Sequence, residues 1–199
     1  MTAAPVGLLL AAGAGRRMGT PKALLRDAGG RSFVDRALEV LRDGGCERLT
    51  VVLGAAADEA RQALDVAGWG EAQARVLVAE DWPEGMGASL RRGLRSLADD
   101  PDGEAALVTL VDLPDVGPAV LRRVVAAGTG PAALVRATYG GRPGHPVLLG
   151  RDHWTGVAAV ARGDNGARDY LASHPHVTCE CGDLSDGHDV DRPEDLVPR

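Results

Sequence analysis

A glycine-rich loop that follows the first apolar run of the chain is suited to phosphate binding. It reads Leu10-Ala11-Ala12-Gly13-Ala14-Gly15-Arg16-Arg17-Met18-Gly19-Thr20-Pro21-Lys22. Small residues let backbone N–H groups approach a phosphate, and the two arginines and the lysine carry charge that neutralises it. Lys22 is the only lysine among the 22 Lys and Arg residues, which favours a compact point charge at this position. The loop therefore predicts an anion site.

Two well-known phosphate loops do not match this run. A dinucleotide fingerprint needs glycine or alanine where Met18 stands, and an acidic residue at the end of the second strand, where Leu53 and Gly54 stand. A Walker loop needs lysine directly after its last glycine, whereas Thr20 follows Gly19. An ordinary turn between a strand and a helix, with its lysine there by chance, stays open as the alternative to phosphate binding.

Carboxylates that could hold a magnesium ion lie far along the chain. Asp112 ends the apolar run Ala105–Val111, and Leu113-Pro114 turns the chain away after it. Asp189 and Asp191 flank Val190, so an extended backbone puts both carboxylates on one face. Magnesium prefers such oxygen ligands. The alternatives are an aspartate in an ordinary turn and a solvated acidic segment.

Other polar residues have both a functional and a structural interpretation. Ser89 lies at the start of a predicted helix, where it could contact a ligand or cap the helix. His145 stands between glycine and proline, as a ligand contact or as a hydrogen-bonded structural residue. Arg142 and Arg168 could meet a phosphate or lie as solvated surface charges.

The elements that must position these residues alternate along the chain. Apolar runs predict strands at Val6–Ala12, Leu49–Leu53, Arg75–Ala79, Ala105–Val111, Ala132–Tyr139, Pro146–Leu149 and Val177–Cys181. Helical patterns follow at Phe33–Leu41 after a Ser32 cap, Asp58–Ala67, Ala88–Leu97, Gly117–Ala127, His153–Ala161 and Ala167–Ser173. Such alternation predicts an α/β fold with a mostly parallel sheet, ligands at the carboxyl ends of its strands, and an antiparallel excursion across residues 137–149.

Composition limits the class of protein. The 199 residues are 45% apolar and 25% charged, as in a soluble globular protein, and we expect one domain over residues 1–199. A net charge of −6 and only six aromatic residues make nucleic acid an unfavourable partner. Three cysteines are too few for a disulfide framework and predict a reducing cytoplasm. We expect no membrane association, because no apolar run is long enough to span a bilayer.

Charge is nevertheless concentrated near the glycine-rich loop. Residues 1–50 hold eight basic and five acidic side chains, a local excess of three positive charges in an acidic protein. Such a distribution favours an anionic ligand bound at one place.

The loop also resembles a known signature. It is similar to the nucleotide-binding motif of the MobA-like nucleotidyltransferases, and especially of the molybdopterin cytidylyltransferase, MocA-like branch. Further matches occur in the family's order, at residues 85–90, 112–114, 141–146, 163–168 and 189–195. The resemblance implies a three-layer, Rossmann-like nucleotidyltransferase fold of the GT-A-like type.

The resemblance implies a reaction as well. In that family a phosphate of an acceptor attacks the α-phosphate of a nucleoside triphosphate, and pyrophosphate leaves. It implies catalytic roles for Lys22, Arg17 and Asp112, and Mg²⁺ held by Asp112 and Asp191. The nucleotide-binding positions that it implies are Leu10, Ala11, Ala12, Gly13, Gly15, Arg16, Gly19, Gly87 and Ser89. The acceptor-binding positions that we expect are Arg142, His145 and Arg168.

The finer expectations depend on single residues. Ala12 favours CTP and a molybdopterin acceptor, because guanylyl-transferring relatives usually have glycine there. The family often has glutamine where Leu113 stands and threonine where Arg192 stands, so the chemistry near the metal could be altered. Two alternatives stay open: another small phosphorylated acceptor, and a non-catalytic nucleotide-binding accessory protein of molybdoenzyme maturation. Transient contact with a molybdoenzyme or its chaperone is an expectation of the same kind.

Overall fold

The computed structural model describes residues 3–27 and 29–196, and these build one seven-stranded sheet. The strand order is β3-β2-β1-β4-β6-β5-β7, and β6 alone runs antiparallel to its neighbours among the described strands. The strands are β1 (Val6–Ala11), β2 (Arg48–Leu53), β3 (Arg75–Val78), β4 (Ala105–Leu110), β5 (Leu134–Tyr139), β6 (Arg142–Gly150) and β7 (Val177–Glu180). The predicted α/β class and the antiparallel excursion are confirmed.

Central strands are buried because helices cover both faces of the sheet. The helices are α1 (Phe33–Asp43), α2 (Ala57–Val66), α3 (Met86–Ala98), α4 (Pro118–Ala126), α5 (Arg151–Val160) and α6 (Arg168–Ser173). Side chains of α1, α2 and α4 pack with Leu9 of β1, while side chains of α3, α5 and α6 pack with its neighbours Leu8 and Leu10. This alternation follows from the two-residue period of a strand.

The element boundaries follow local sequence signals. The side chain of Ser32 accepts a hydrogen bond from the backbone N–H of Asp35 at 3.4 Å, which confirms the predicted cap of α1. Helix α3 begins at Met86, two residues before the predicted start, and Gly85 is its N-cap. Ser89 therefore lies inside the helix, and the alternative that it caps α3 is wrong.

The parallel strands end at the edge of the sheet formed by their carboxyl ends, and three segments meet there. The loop after β1, the segment between β3 and α3, and the residues after β4 all leave the sheet there. This edge is where ligands bind in open α/β sheets. Among the described residues, no helix is long and apolar enough to cross a membrane.

Candidate active site

The loop after β1 folds back so that its lysine returns to the end of the strand. Gly15 has φ +56°, and a Cβ at this position would lie 1.9 Å from the carbonyl oxygen of Thr20. Only glycine fits such a close approach in the left-handed region. The backbone N–H of Lys22 then donates to the carbonyl oxygen of Gly13 at 3.1 Å. The Lys22 side chain is thereby held beside the carboxyl end of β1.

The ammonium of Lys22 lies between two carboxylates. Its Nζ donates to Oδ2 of Asp112, and to Oδ1 of Asp191 at 2.5 Å. Arg17 adds a longer contact to Asp191 at 3.4 Å. Burial of Lys22 favours its neutral form and would lower its pKa, but the two carboxylates outweigh burial and raise the pKa above the ordinary value. Lys22 is therefore a fixed cation at neutral pH.

The carboxyl-terminal segment reaches this position by pairing with the end of β4. The backbone N–H of Val190 donates to the carbonyl oxygen of Asp112 at 2.9 Å, and the Val190 side chain is buried in the core beneath. Asp195 accepts from the backbone N–H groups of Asp191 and Arg192 at 3.1 and 2.9 Å. This segment holds Asp191 beside Lys22 although 169 positions separate the two residues.

Three carboxylates form an acidic group that suits a divalent cation. Oxygens of Asp112, Asp189 and Asp191 all lie within 4.8 Å of one another. Oδ1 of Asp112 is buried and has no hydrogen-bond partner among the described residues. A buried carboxylate oxygen without a partner is costly. The three carboxylates offer the oxygen ligands that hard divalent cations prefer, so these residues fit Mg²⁺ or Mn²⁺.

A cleft of about 520 Å³ opens beside the acidic group. The glycine loop and Lys22 form one side of it. The opposite side consists of Trp82, Pro83, Glu84, Gly85 and Met86, between β3 and the first turn of α3. Its size suits a drug-sized or nucleotide-sized ligand.

Buried Arg91 of α3 holds this second side in place. Its guanidinium donates to Glu84 at 2.8 and 2.5 Å, to Asp81 at 2.8 Å, and to the carbonyl oxygen of Ala161 at 2.7 Å. A Cβ on Gly87 would lie 2.8 Å from the backbone nitrogen of Arg162. The first turn of α3 therefore packs directly against the chain that follows α5.

Most of the predicted nucleotide-binding residues line the cleft, together with the predicted catalytic and metal-binding residues. Those that do are Leu10, Ala12, Gly13, Gly15, Arg16, Arg17, Lys22, Ser89, Asp112 and Asp191. The Ala11 side chain instead packs into the core on the other face of the sheet, and Gly87 faces Arg162. Gly19 lies in the loop, outside the lining of the cleft.

The predicted acceptor residues lie apart from the cleft lining. Arg142 is exposed at the β5–β6 turn, and Arg168 is exposed at the start of α6. His145 is in β6, where Tyr139 donates a 2.6 Å hydrogen bond to its carbonyl oxygen. Leu113 packs against the core on the α1 side, so the position where the family often has glutamine faces away from the cleft. Arg192 is exposed beside Asp195.

Several lining residues were not predicted from the sequence. Trp82 and Glu84 precede the match at residues 85–90, and Asp164 lies within the match at 163–168, but none of the three was assigned to the site; tertiary packing brings their segments to the cleft. Asp189 was predicted to share a face with Asp191 but was not assigned as a metal ligand, and the structure places it in the acidic group.

Comparison with known proteins decides the family. The MobA-like NTP transferase domain matches residues 7–177, a span that includes the glycine loop, Lys22 and Asp112. The chain belongs to this family. The resemblance predicted from the sequence motifs is confirmed, and the chain is a nucleotidyltransferase of the MobA-like family.

Individual relatives cover nearly the whole chain. Nicotine blue oxidoreductase of Paenarthrobacter nicotinovorans is 34% identical over 203 residues, covering 96% of this chain and 93% of the relative. Rv0371c of Mycobacterium tuberculosis H37Rv is 31% identical with a TM-score of 0.77, covering 98% of this chain and 96% of that one. A structure of Rv0371c complexed with manganese is 30% identical with a TM-score of 0.70, covering 90% and 88% of the two chains. One relative thus binds a divalent metal.

Proposed function

We propose that this chain catalyses metal-dependent nucleotidyl transfer from a nucleoside triphosphate, CTP by preference, to a phosphate group on a small acceptor of the molybdopterin type. The observation that carries the proposal is the Lys22 ammonium held between Asp112 and Asp191 at the mouth of the cleft. Ala12, the residue that favours the cytidylyl branch of the family, lines the same cleft.

The proposed reaction is a substitution at phosphorus. An oxygen of the acceptor phosphate forms a bond to the α-phosphorus while the bond from the α-phosphorus to the bridging oxygen breaks, and its electron pair leaves with pyrophosphate. A phosphate monoester is largely ionised at pH 7, since its second pKa is about 6, so no side chain must remove a proton. The task of the protein is to bring anions together and to stabilise charge on the leaving group.

Each cation of the cleft has a part in this task. Lys22 lies where a triphosphate would meet the acidic group, and Arg16 and Arg17 line the same side of the cleft. We assign Lys22 and Arg17 to the charge that grows on the leaving pyrophosphate. Asp112 and Asp191, with Asp189 beside them, would hold Mg²⁺, which supplies electrostatic stabilisation of the phosphate oxygens.

Pyrophosphate release tests the proposal. The purified chain is incubated with Mg²⁺, the molybdenum cofactor and each of CTP, GTP, ATP and UTP in turn. We expect pyrophosphate with CTP, its loss without a divalent metal, and its loss in Asp112→Asn. Nucleotide binding without release from any of the four would favour the non-catalytic accessory protein. Pyrophosphate release that occurs only with a different phosphorylated acceptor would show that molybdopterin is not the acceptor.

The relative from Paenarthrobacter supports a second candidate. Its name describes an oxidoreductase acting on nicotine blue, and 96% of this chain aligns with it. The discriminating measurement is bleaching of nicotine blue by the purified chain in the presence of an added two-electron reductant. Bleaching of nicotine blue, without pyrophosphate release in the nucleotide assay, would favour an oxidoreductase over a nucleotidyltransferase.

A further inference from the structure

The Lys22 ammonium holds the carboxylate oxygens that an incoming divalent cation would meet first. Its Nζ donates to Oδ2 of Asp112, and to Oδ1 of Asp191 at 2.5 Å. The other oxygen of Asp112, Oδ1, is shielded from solvent, so an ion that arrives from the cleft meets Oδ2. The other oxygen of Asp191, Oδ2, lies 3.4 Å from a guanidinium nitrogen of Arg17. A cation that binds both carboxylates therefore requires oxygens that side-chain cations already contact.

The ammonium and a divalent ion do not fit on these oxygens together. Magnesium lies about 2.1 Å from its oxygen ligands, and Nζ lies 2.5 Å from the Asp191 oxygen. An ion on that oxygen is therefore less than about 5 Å from Nζ, a separation at which like charges repel strongly in a partly buried site. Oxygens of Asp112, Asp189 and Asp191 all lie within 4.8 Å of one another, so an ion held by this group stays near the ammonium. The two cations are alternatives.

The Lys22 side chain can leave the carboxylates while its backbone stays in place. The backbone is fixed by the hydrogen bond from Lys22 to Gly13, and the side chain is a flexible four-carbon stem. A Cβ on Gly13 would lie 3.8 Å from Cδ of Lys22, so the stem passes close over the glycine loop. Rotation of the stem therefore turns the ammonium into the cleft, toward the side that Arg16 and Arg17 also line.

We propose that Lys22 and the divalent cation exclude each other at Asp112 and Asp191, and that the displaced ammonium turns into the cleft to contact the phosphates of the nucleotide. This inference rests on the proposed function for the identity of that ligand. By linkage, a polyphosphate that draws Lys22 away from the carboxylates raises their affinity for the metal, and the metal raises the affinity for the polyphosphate. Lys22 thereby couples the two ligands, a role beyond stabilising the leaving group.

Metal affinity in the absence of nucleotide is the first test. Mn²⁺ is titrated by calorimetry into the full-length unmodified chain and into Lys22→Met, which keeps an unbranched side chain without its charge. Because Lys22 reduces the fraction of the chain whose carboxylates are available, we expect Mn²⁺ to bind about tenfold or more tightly to Lys22→Met. Arg16→Gln is the control, since it removes an exposed charge from the same side of the cleft. Solvent screens that charge, so the expected gain is about twofold or less.

The second test follows the ammonium in the unmodified chain, so it does not depend on the folding of a variant. Because Lys22 is the only lysine, selective ¹⁵N labelling of lysine gives one side-chain ammonium signal. The hydrogen bonds to Asp112 and Asp191 slow the exchange of its protons with water. We expect saturating Mg²⁺ to accelerate this exchange several-fold, and pyrophosphate added together with Mg²⁺ to slow it again.

Three results would overturn the proposal. The first is Mg²⁺ binding that leaves proton exchange of Lys22 unchanged, because the ammonium and the ion would then occupy the acidic group together. The second is a gain in Mn²⁺ affinity that is no larger in folded Lys22→Met than in Arg16→Gln. The third is the absence of Mn²⁺ binding to the unmodified chain and to Lys22→Met alike.

The proposed reaction can fail independently of this exclusion. If Mg²⁺ displaces Lys22 as expected in a chain that releases no pyrophosphate from any nucleotide, the proposed reaction is refuted and the exclusion stands. Conversely, pyrophosphate release by a chain whose ammonium protons do not respond to Mg²⁺ would refute the exclusion alone.

Discussion

At the scale of single residues, the candidate site depends on one cation with two acidic neighbours. Lys22 is the only lysine in the sequence, and its ammonium contacts both Asp112 and Asp191. An arginine is larger and planar, so it would not fill the same space between two carboxylates. The residue type, rather than positive charge alone, therefore suits this position.

Replacement of Lys22 by alanine tests its role in turnover. We expect Lys22→Ala to lower kcat by about 10²-fold or more, because one preorganised charge-stabilising donor is lost. The measurement is steady-state pyrophosphate release at saturating nucleotide. Arg61→Ala on the exposed surface of α2 is the control and should retain the full rate. A near-normal rate in the lysine variant would contradict the assigned role.

At the scale of elements, the cleft is a gap between two loops that are fixed differently. The loop after β1 is fixed by its own backbone, through Gly15 and the hydrogen bond from Lys22 to Gly13. The segment before α3 is fixed from outside by Arg91, which contacts Glu84, Asp81 and the chain after α5. Changes in helix packing should therefore displace the segment before α3 more than the loop after β1.

Arg91→Met tests this external support. Without the guanidinium, Asp81 and Glu84 lose their ion pairs with α3, so we expect this wall of the cleft to shift. We expect KM for the nucleotide to rise about tenfold with a smaller change in kcat, since displacements near 1 Å carry costs up to about 10²-fold. Arg92→Met, at an exposed neighbouring position, should leave both constants unchanged. Equal kinetics in the two variants would show that Arg91 does not shape the cleft.

The β5–β6 turn depends on a different carboxylate. Glu180 at the end of β7 accepts backbone hydrogen bonds from Gly140, Gly141 and Gly182 at 2.7, 3.1 and 2.9 Å, and one from the Thr138 hydroxyl at 2.8 Å. The bond from Gly141, followed by that from Gly140, lowers the pKa of Glu180 to about 2. The turn and the end of β7 are thereby joined.

The stability that Glu180 contributes should depend on pH. Its folded pKa of about 2 is below the ordinary 4.5, so the contribution is complete above pH 4.5 and is lost as the pH falls toward 2. We expect Glu180→Gln to lower the Tm at pH 7 and to flatten the decline of Tm between pH 4.5 and 2. The control is Glu47→Gln, an exposed residue at which neither change should occur. Parallel Tm curves for Glu180→Gln and the unmodified chain would contradict this role.

At the scale of the whole molecule, sequence reasoning predicted the sheet better than the site. Continuous apolar runs such as Leu107–Val111 identify strands buried on both faces, and Asp112 was predicted at a strand end for that reason. The meeting of Asp112 with Asp191 followed only from family resemblance. Trp82 was missed, and Asp164 was noted only as part of the match at residues 163–168 without a role, because the packing of distant segments brings both to the cleft.

The acidic group requires the carboxyl-terminal segment to dock on the sheet. Val190 lies between Asp189 and Asp191 and is 1% exposed. Its backbone N–H donates to the carbonyl oxygen of Asp112. The side chain of Val190 touches the core rather than the cleft. Its burial therefore links the stability of the whole fold to the position of Asp189 and Asp191.

Val190→Ala tests whether docking of the carboxyl-terminal segment affects metal binding when all the carboxylate ligands are retained. Loss of two buried carbon atoms should cost about 1–3 kcal/mol of unfolding free energy, and part of this cost falls on docking of the segment. We expect Mn²⁺ affinity, measured by calorimetry, to fall several-fold although every carboxylate is retained. Val66→Ala, at a position that is 85% exposed, is the matched control and should change neither quantity. If Val190→Ala lowers the Tm while Mn²⁺ affinity stays constant, the acidic group forms without the docked segment, and the link between core and site is refuted.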